Sequence, residues 1–249
     1  MKDKIALVTG SSHGIGAAIA TVFAQQGAKT VIHGRDTAAL SALGGEIERT
    51  GGRVLPVTAD VTKFSEIEAM RRQIEQELGP IDILVANAGG SFTAPAPLED
   101  ITEEGWRASL EGNLTATFLT VKSFLPGMKE RRGGNIITIS SAAARRAHPG
   151  SPLPYAAAKA GIEILTQHLA AQTGPYGIRL NCIAPATILT ERNKQRIPGA
   201  QLETLIALHP IKRLGTPEDV AQAALYLVSD SATWITGIVL DVAGGAVMV

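Results

Sequence analysis

Short apolar runs alternate with longer amphipathic stretches along the whole chain. Residues 5–8, 30–33 and 82–86 are mostly apolar, which is typical of strands buried on both faces of a sheet. In the stretch 64–78, apolar side chains recur every three or four residues, which predicts an amphipathic helix. This alternation of strands and helices indicates a parallel sheet with right-handed crossovers.

The same pattern continues to the end of the chain without a break. Further strands are predicted at 53–58, 135–139, 178–184 and 238–242, and further helices at 17–26, 38–50, 102–125, 155–173 and 216–228. No linker, repeat or low-complexity segment interrupts the series, so residues 1–249 are predicted to form a single domain. The predicted fold class is α/β, Rossmann-type and doubly wound: a predominantly parallel seven-stranded sheet with helices on both faces.

One segment departs from this alternation. Residues 186–209 are mostly polar and carry Pro198-Gly199 near their middle. We interpret this segment as a mobile flap over a ligand site, with residues 190–210 forming the flap itself.

Composition and charge narrow the range of partners. The formal net charge is zero, with 45% hydrophobic and 18% charged residues, so no bulk electrostatic signal points to nucleic acid or to a membrane surface. The first apolar run is too short for a signal-peptide core or a membrane span. Histidines and carboxylates show no metal-ligand spacing, so no metal is expected. The single cysteine, Cys182, is expected to be buried. A cytoplasmic enzyme is the default expectation.

A glycine-rich turn follows the first strand. The segment Gly10-Ser-Ser-His-Gly14-Ile-Gly16 lies between that strand and a helix, and its glycines would let the backbone approach a pyrophosphate at the start of the helix. By itself such a loop is explained equally well by a plain tight turn. Its place at the first strand of an alternating chain favours dinucleotide binding.

Polar residues also follow other predicted strands. Arg35, Asp60, Asn87 and Ser141 come just after strands, and parallel strands present their carboxyl ends at one ligand-binding edge. Serine at a strand end is ordinarily a turn former. Asn113, beside Gly112, predicts a local break in a helix. Its side chain is then either exposed to solvent without a role, or the break leaves a carbonyl or amide group able to bind a water molecule.

Tyr155 and Lys159 are four residues apart on a predicted helix, so their side chains lie on one face. An ammonium near a phenol favours the phenolate and lowers its pKa toward the working range of an acid–base catalyst. A lone pair of this spacing is far more often a surface tyrosine packed on a lysine stem. The rest of the pattern favours the catalytic interpretation.

Together these motifs give the chain a family likeness. It resembles the short-chain dehydrogenases/reductases over essentially its whole length, and its tail is similar to that of the bacterial branch that includes 3-oxoacyl-[acyl-carrier-protein] reductases. The matching residues are Thr9, Gly10, Gly14, Ile15, Gly16, Asp60, Val61, Asn87, Ala88, Gly89, Asn113, Ser141, Tyr155, Lys159, Pro185, Ile188 and Thr190.

The resemblance implies a catalytic set and a cofactor site. Tyr155 would exchange a proton with the substrate oxygen, Ser141 would polarise that oxygen, Lys159 would tune the tyrosine, and Asn113 would hold a water. A nicotinamide would carry the hydride. The implied cofactor-binding residues are Gly10, Ser11, Ser12, His13, Gly14, Ile15, Gly16, Arg35, Asp60, Val61, Asn87, Ala88, Gly89, Tyr155, Lys159, Pro185, Ile188 and Thr190.

The end of the second strand bears on cofactor choice. NAD-preferring relatives place an acid where this chain has Gly34, whereas Arg35 suits a 2′-phosphate and His13 stands where NADP-preferring relatives carry a basic residue. Asp36 argues the other way unless it caps the next helix. NADP(H) is favoured, and NAD(H) remains possible.

Three functions stay open from the sequence. The first is reduction of a small-molecule carbonyl or oxidation of an alcohol. The second is an oxoacyl-thioester reductase that would need a basic docking patch for acyl carrier protein, for which the candidates are Arg145, Arg146, Arg192, Lys194 and Arg196. The third is a dinucleotide-binding sensor or scaffold without catalysis. By analogy with the family, a homotetramer or a homodimer is expected.

Overall fold

The computed structural model describes residues 1–248. Its seven strands form one parallel sheet in the order β3-β2-β1-β4-β5-β6-β7. Their bounds are β1 Ile5–Val8, β2 Lys29–Gly34, β3 Arg53–Thr58, β4 Ile83–Ala86, β5 Gly134–Ile139, β6 Ile178–Pro185 and β7 Val239–Val242. The predicted single-domain α/β fold is confirmed, with a sheet that is parallel throughout.

The described residues contain ten α-helices, six of which pack against the two faces of this sheet. Their bounds are α1 Gly14–Gln25, α2 Thr37–Arg49, α3 Phe64–Glu77, α4 Glu103–Leu110, α5 Ala116–Glu130, α6 Ala142–Arg145, α7 Leu153–Thr173, α8 Glu191–Arg196, α9 Gly199–Ala207 and α10 Pro217–Val228. None of these helices is long and apolar enough to span a membrane.

Two hydrophobic cores lie on opposite faces of the sheet. Side chains of β1 alternate between them, because Ala6 and Val8 join one core while Ile5 and Leu7 join the other. The first core packs α1, α2 and α10 against the sheet, and the second packs α3, α5 and α7 against it. Since both faces are buried, the central strands must be apolar throughout, which explains the continuous apolar runs in the sequence.

The strand order reverses between β1 and β4. From β1 the chain builds outward to β2 and β3, and then returns to the other side of β1 with β4. A reversal of this kind leaves a crevice at the carboxyl ends of the central strands, where loops diverge to opposite faces. The glycine turn after β1 and the loop after β4 both open into this crevice.

The long helix predicted over 102–125 is interrupted. It begins where the Thr102 hydroxyl accepts a hydrogen bond from Gly105 N at 3.1 Å, and a π-helical turn over Glu111–Thr115 separates α4 from α5. The break predicted at Gly112 and Asn113 is therefore present. π-Turns of this kind are concentrated at functional sites.

The segment interpreted as a flap contains regular structure. Residues 186–209 include the short helices α8 and α9, and Thr190 caps α8 by accepting a hydrogen bond from Asn193 N at 3.2 Å. Its mobility stays a prediction.

The helix predicted to open at Tyr155 instead begins at Leu153, so the tyrosine lies in the first turn of α7.

Candidate active site

A cleft of about 1380 Å³ lies at the carboxyl ends of the central strands. This volume exceeds the ~300–1,000 Å³ that holds one drug-sized ligand, so it leaves room for a dinucleotide beside a substrate. The cleft brings together most of the residues that the sequence singled out: Gly10, Ser12, His13, Gly14, Ile15, Gly16, Arg35, Asp60, Val61, Asn87, Ala88, Gly89, Ser141, Tyr155, Lys159, Pro185, Ile188 and Thr190. Ser11 and Asn113 are not among its lining residues.

The glycine turn after β1 depends on the absence of side chains. Gly10 has φ +63°, and a Cβ added to it would lie 2.7 Å from Ala88 Cα. A Cβ on Gly16 would lie 2.5 Å from Gly10 O. A larger residue at either position would have to displace main-chain atoms. The turn is therefore packed tightly against the loop that follows β4.

Asn87 holds the ends of β1 and β4 together. Its Nδ2 donates to the carbonyl oxygens of Thr9 and Gly10 at 2.9 and 3.0 Å. In return, the Thr9 hydroxyl accepts from the main-chain N–H groups of Asn87 and Ala88, each at 3.1 Å. Because its amide nitrogen is committed to these bonds, Asn87 shapes the cleft floor as well as lining it.

Ser11 does not face the cleft. The residue is fully buried, and its Oγ accepts a hydrogen bond from His33 N at 2.8 Å. The expectation that Ser11 lines the cofactor site is therefore wrong for its side chain, which is hydrogen-bonded beneath the glycine turn and links the end of β1 to β2.

His33 supports the glycine turn from below, a role that sequence reasoning missed. Its Nδ1 accepts from Gly10 N at 3.2 Å, so its Nε2 carries the hydrogen and donates to Ala59 O at 3.0 Å. Burial lowers the pKa of His33. The bonds link the ends of three neighbouring strands, and the sequence carries no signal for them because the partners are distant in the chain.

The far end of the cleft contains one arginine, Arg35, and two acids, Asp36 and Asp60. A Cβ added at Gly34 would collide with Ser12 Oγ, so a side chain at this position would require Ser12 to change its rotamer. Asp36 Oδ1 accepts from Ala39 N at 3.0 Å and caps α2, while Arg35 is exposed and lines the cleft. Asp60 accepts hydrogen bonds from Thr62 N and Oγ1, which lower the pKa of its carboxyl.

Lys159 is buried, and its ammonium is held by a carbonyl. Its Nζ donates to Ile139 O at 2.8 Å and lies 5.6 Å from the centre of the Tyr155 ring. Burial lowers the pKa of Lys159 to about 8. Burial also raises the pKa of the Tyr155 phenol, with a smaller opposing effect from the Ser141 hydroxyl. The pKa of Tyr155 is therefore shifted upward, opposite to the direction predicted from Lys159, whose ammonium is hydrogen-bonded to Ile139 O.

The turn that carries Ser141 is braced by an ion-pair network. Ser140 Oγ donates to Glu163 Oε1 at 2.8 Å, and Arg145 donates to Glu163 Oε2 at 3.1 Å and to Asp241 Oδ1 at 3.2 Å. These bonds tie the end of β5 and α6 to α7 and β7. Arg145 is therefore paired on two carboxylates, and it is not available for the basic docking patch proposed from the sequence.

Asn113 lies behind the cleft and is fully buried. Its Oδ1 accepts from Gly90 N at 3.0 Å, and its Nδ2 donates to Gly90 O at 2.9 Å and to Ser109 O at 2.8 Å. The solvent-facing interpretation of this residue is wrong. Its side chain holds the loop after β4 in place, and the water-binding role stays a prediction.

Comparisons with known proteins decide the family. The family model described as enoyl-(acyl carrier protein) reductase matches residues 10–247. A 3-oxoacyl-[acyl-carrier-protein] reductase of Thermotoga maritima is 35% identical, over 100% of this chain and 99% of that protein. The 7alpha-hydroxysteroid dehydrogenase of Escherichia coli K12 is 36% identical, over 99% of this chain and 95% of that protein. The chain belongs to the short-chain dehydrogenase/reductase family.

Solved structures agree with this assignment. A 3-oxoacyl-[acyl-carrier protein] reductase of Brucella melitensis with bound NAD has a TM-score of 0.91 at 35% identity, over 100% of this chain and 92% of that one. A 7 alpha-hydroxysteroid dehydrogenase complexed with NADH and 7-oxo glycochenodeoxycholic acid has a TM-score of 0.93 at 36% identity, over 99% of this chain and 95% of that one.

As a short-chain dehydrogenase/reductase, the protein is an NAD(P)-dependent oxidoreductase that acts on carbonyl and CH–OH groups. The resemblance predicted from the sequence is confirmed, and the sensor or scaffold alternative is set aside. The roles of individual residues stay predictions. The cleft itself fits a dinucleotide, because Gly10, Gly14 and Gly16 line it without side chains at the start of α1, where main-chain N–H groups suit a pyrophosphate. A Cβ at Gly14 would lie 3.0 Å from Thr190 Cγ2, so the glycine turn also packs closely against the start of α8.

The burial of Lys159 predicts a pH effect on stability. The unfolded chain keeps this proton up to about pH 10.4, the ordinary lysine pKa, whereas the folded protein releases it at about 8. Holding the charge therefore costs stability below about pH 8, and that cost is relieved as the pH rises. Relative to Lys159→Met, the free energy of unfolding of the wild type should increase by about 2 kcal/mol between about pH 7.5 and about pH 9.5.

Denaturant unfolding of both proteins at several pH values measures this difference. Burial raises the pKa values of Tyr155 and Cys182, so both stay protonated in the folded wild type over this range; loss of the Lys159 charge would raise the pKa of Cys182 further, so both residues contribute nearly equally in the two proteins. A difference that does not change with pH would show that Lys159 is not held as a buried cation.

Proposed function

We propose that the protein reduces the carbonyl group of a small molecule to an alcohol, with Tyr155 as the proton donor. The supporting observation is that Ser141, Tyr155 and Lys159 reach one cleft, at the same sheet edge as the glycine turn. When bound, the nicotinamide supplies the hydride. Ser141 polarises the carbonyl oxygen, and Tyr155 delivers a proton to it as negative charge develops there.

The surroundings of the phenol keep it in the protonated form that a proton donor needs. Burial raises the pKa of Tyr155, so the residue is protonated and ready to donate at neutral pH.

Replacement of Tyr155 by phenylalanine tests the proton donor. Tyr155→Phe keeps the ring and its packing but removes the hydroxyl, so kcat should fall by roughly 10²–10⁴-fold. The Kd for the reduced cofactor, measured by its fluorescence, should change by less than about twofold. Tyr226→Phe, on an exposed tyrosine of α10, is the matched control. Wild-type turnover by Tyr155→Phe would remove this residue from the role of acid.

We also propose that the protein prefers NADP(H) to NAD(H). Three features support the preference: position 34 is a glycine and supplies no acidic group, Asp36 caps α2, and Arg35 lines the cleft. A guanidinium there matches the 2′-phosphate of NADP. The two solved structures named above contain NAD and NADH. These are the cofactors of those proteins, and they do not determine the choice between NADP(H) and NAD(H) in this one.

Reversal of the charge at Arg35 tests this preference. A charge-assisted hydrogen bond is worth about 1.5–3 kcal/mol, so Arg35→Asp should lower the ratio of kcat/KM for NADPH to that for NADH by roughly 10- to 100-fold. Arg53→Asp, at the opposite end of the sheet, controls for the change of net charge. An unchanged ratio in Arg35→Asp would refute the assignment.

A second candidate substrate is a 3-oxoacyl thioester on acyl carrier protein. It is supported by the names of the Thermotoga and Brucella relatives. Two of the five candidate basic residues are engaged within the protein, because Arg145 pairs with Glu163 and Asp241, and Lys194 pairs with Glu191. The remaining arginines line the cleft, so we favour a small-molecule substrate.

A homotetramer is proposed from the family likeness and from exposed apolar side chains on α5, on α7 and beyond α10. Phe118 on α5 and Ile164 on α7 are 45% and 53% exposed, and Trp234, beyond α10, is 97% exposed. Large exposed apolar groups in clusters mark association surfaces. Trp234→Lys should reduce the mass measured by sedimentation equilibrium from four chains to two. A monomeric wild type would contradict the proposal.

A further inference from the structure

We propose that the substrate carries an oxyanionic group, a carboxylate or a phosphate, and that Arg192 and Arg196 bind it. This inference rests on the proposed carbonyl reduction and names the class of substrate that the cleft accepts. It follows from the distribution of charge along the cleft, from the geometry of α8 and from a polar atom in the same region that has no partner.

The substrate half of the cleft contains three arginines without carboxylate partners. Arg146, Arg192 and Arg196 line the cleft, and none of them forms an ion pair within residues 1–248. Two acids line the same region, Glu111 and Glu191, and Glu191 is occupied by Lys194 at 2.7 Å. An excess of unpaired positive charge beside the reacting groups attracts an anion.

Helix α8 presents two of these arginines on one face. Arg192 and Arg196 are four residues apart, so their guanidinium groups leave the helix on the same side. Lys194 lies between them in sequence but is not a lining residue of the cleft. The helix begins at its cap, Thr190, which packs against Gly14 of the glycine turn. The arginines therefore follow directly on the wall of the proposed cofactor site.

Arg192 reaches across the cleft to the loop after β4. A Cβ added at Gly90 would lie 3.3 Å from Arg192 Nη1. Gly90 is held from behind by Asn113, through bonds to its N–H and carbonyl groups. The guanidinium thus lies close to a fixed main-chain segment at the cleft floor, where a carboxylate or phosphate could accept two parallel hydrogen bonds from it.

His209 provides an independent sign of a polar ligand. It lines the cleft and is 3% exposed. Its Nδ1 lies 2.8 Å from Leu205 O, so Nδ1 carries a hydrogen, while its Nε2 has no hydrogen-bond partner within the described residues. Buried polar atoms are almost always satisfied. With its hydrogen on Nδ1, Nε2 is an acceptor, so a hydroxyl group of the same substrate, and not its oxyanion, would supply the missing partner.

Matched pairs of carbonyl compounds test the inference. Acetoacetate is compared with methyl acetoacetate, and dihydroxyacetone phosphate with dihydroxyacetone, so that each pair differs mainly in charge. The wild type should prefer the charged member of at least one pair by about tenfold or more in kcat/KM, since hydrogen bonds to charged groups are worth about 1.5–3 kcal/mol. The pair that shows the preference separates a carboxylate from a phosphate. If no pair is turned over, the charged compounds should still compete with the carbonyl substrate that is reduced.

Two variants assign the effect to α8. Arg192→Gln combined with Arg196→Gln should abolish the charge preference, or the competition, mainly through KM or the inhibition constant. Lys194→Gln, on the same helix but outside the cleft, should leave it unchanged. The Kd for NADPH should stay within about twofold of the wild type in both proteins.

The inference is overturned by any of four results. These are no charge preference and no competition in the wild type, a preference that persists in the double variant, a large loss of cofactor affinity in that variant, or a requirement for acyl carrier protein in place of the small anion. The third result would assign the arginines to the cofactor phosphates. Each leaves the role of Tyr155 intact, whereas wild-type turnover by Tyr155→Phe refutes the proposed function itself.

Discussion

The bond between the Lys159 ammonium and the carbonyl of Ile139 is the constraint on which the site depends. It fastens α7 to the carboxyl end of β5, and so it sets the distance between Tyr155, one turn earlier on the helix, and Ser141, just beyond the strand. Burying an ammonium without a carboxylate is costly, and the lowered pKa of Lys159 reflects that cost. Such perturbed groups in clefts are typical of active sites.

The free-energy cost of burying the Lys159 ammonium is offset by hydrogen bonds and ion pairs around the same helix. One turn beyond Lys159, Glu163 accepts hydrogen bonds from Ser140 and Arg145, and Arg145 continues to Asp241 on the last strand. The network binds the turn after β5 on both sides. A rigid support of this kind holds reacting groups in place before the substrate arrives, which is the main protein contribution to catalysis by positioning and electrostatics.

The sequence predicted the sheet well because parallel strands buried on both faces must be apolar, and because polar residues can follow them only at the edge. It did not predict the short helices α6, α8 and α9, since helices of so few turns are stabilised by tertiary contacts rather than by local propensity. The orientation of Ser11 was missed because its partner, His33, belongs to the next strand. Long-range pairing of this kind leaves no local pattern.

Ion pairs between residues far apart in the chain also leave no local pattern in the sequence. Arg145 and Arg192 look alike in the sequence, but Arg145 is paired with Asp241, which lies 96 residues away, whereas Arg192 has no ion-pair partner within the described residues.

The description of the matching family model names an enoyl reductase, whereas the relatives are named as reductases of oxoacyl groups and dehydrogenases of hydroxysteroids. The position of Ser141 and Tyr155 beside the glycine turn favours chemistry at an oxygen-bearing carbon.

The most direct test of this account follows the hydride itself. An α,β-unsaturated ketone that the protein turns over is reduced with a cofactor deuterated at the transferred position, and the product is examined by nuclear magnetic resonance. Reduction of the carbonyl places deuterium on the carbon that bears the new hydroxyl group and leaves the double bond intact. Deuterium on the β-carbon, with the ketone retained, would contradict the account and identify an enoyl reductase.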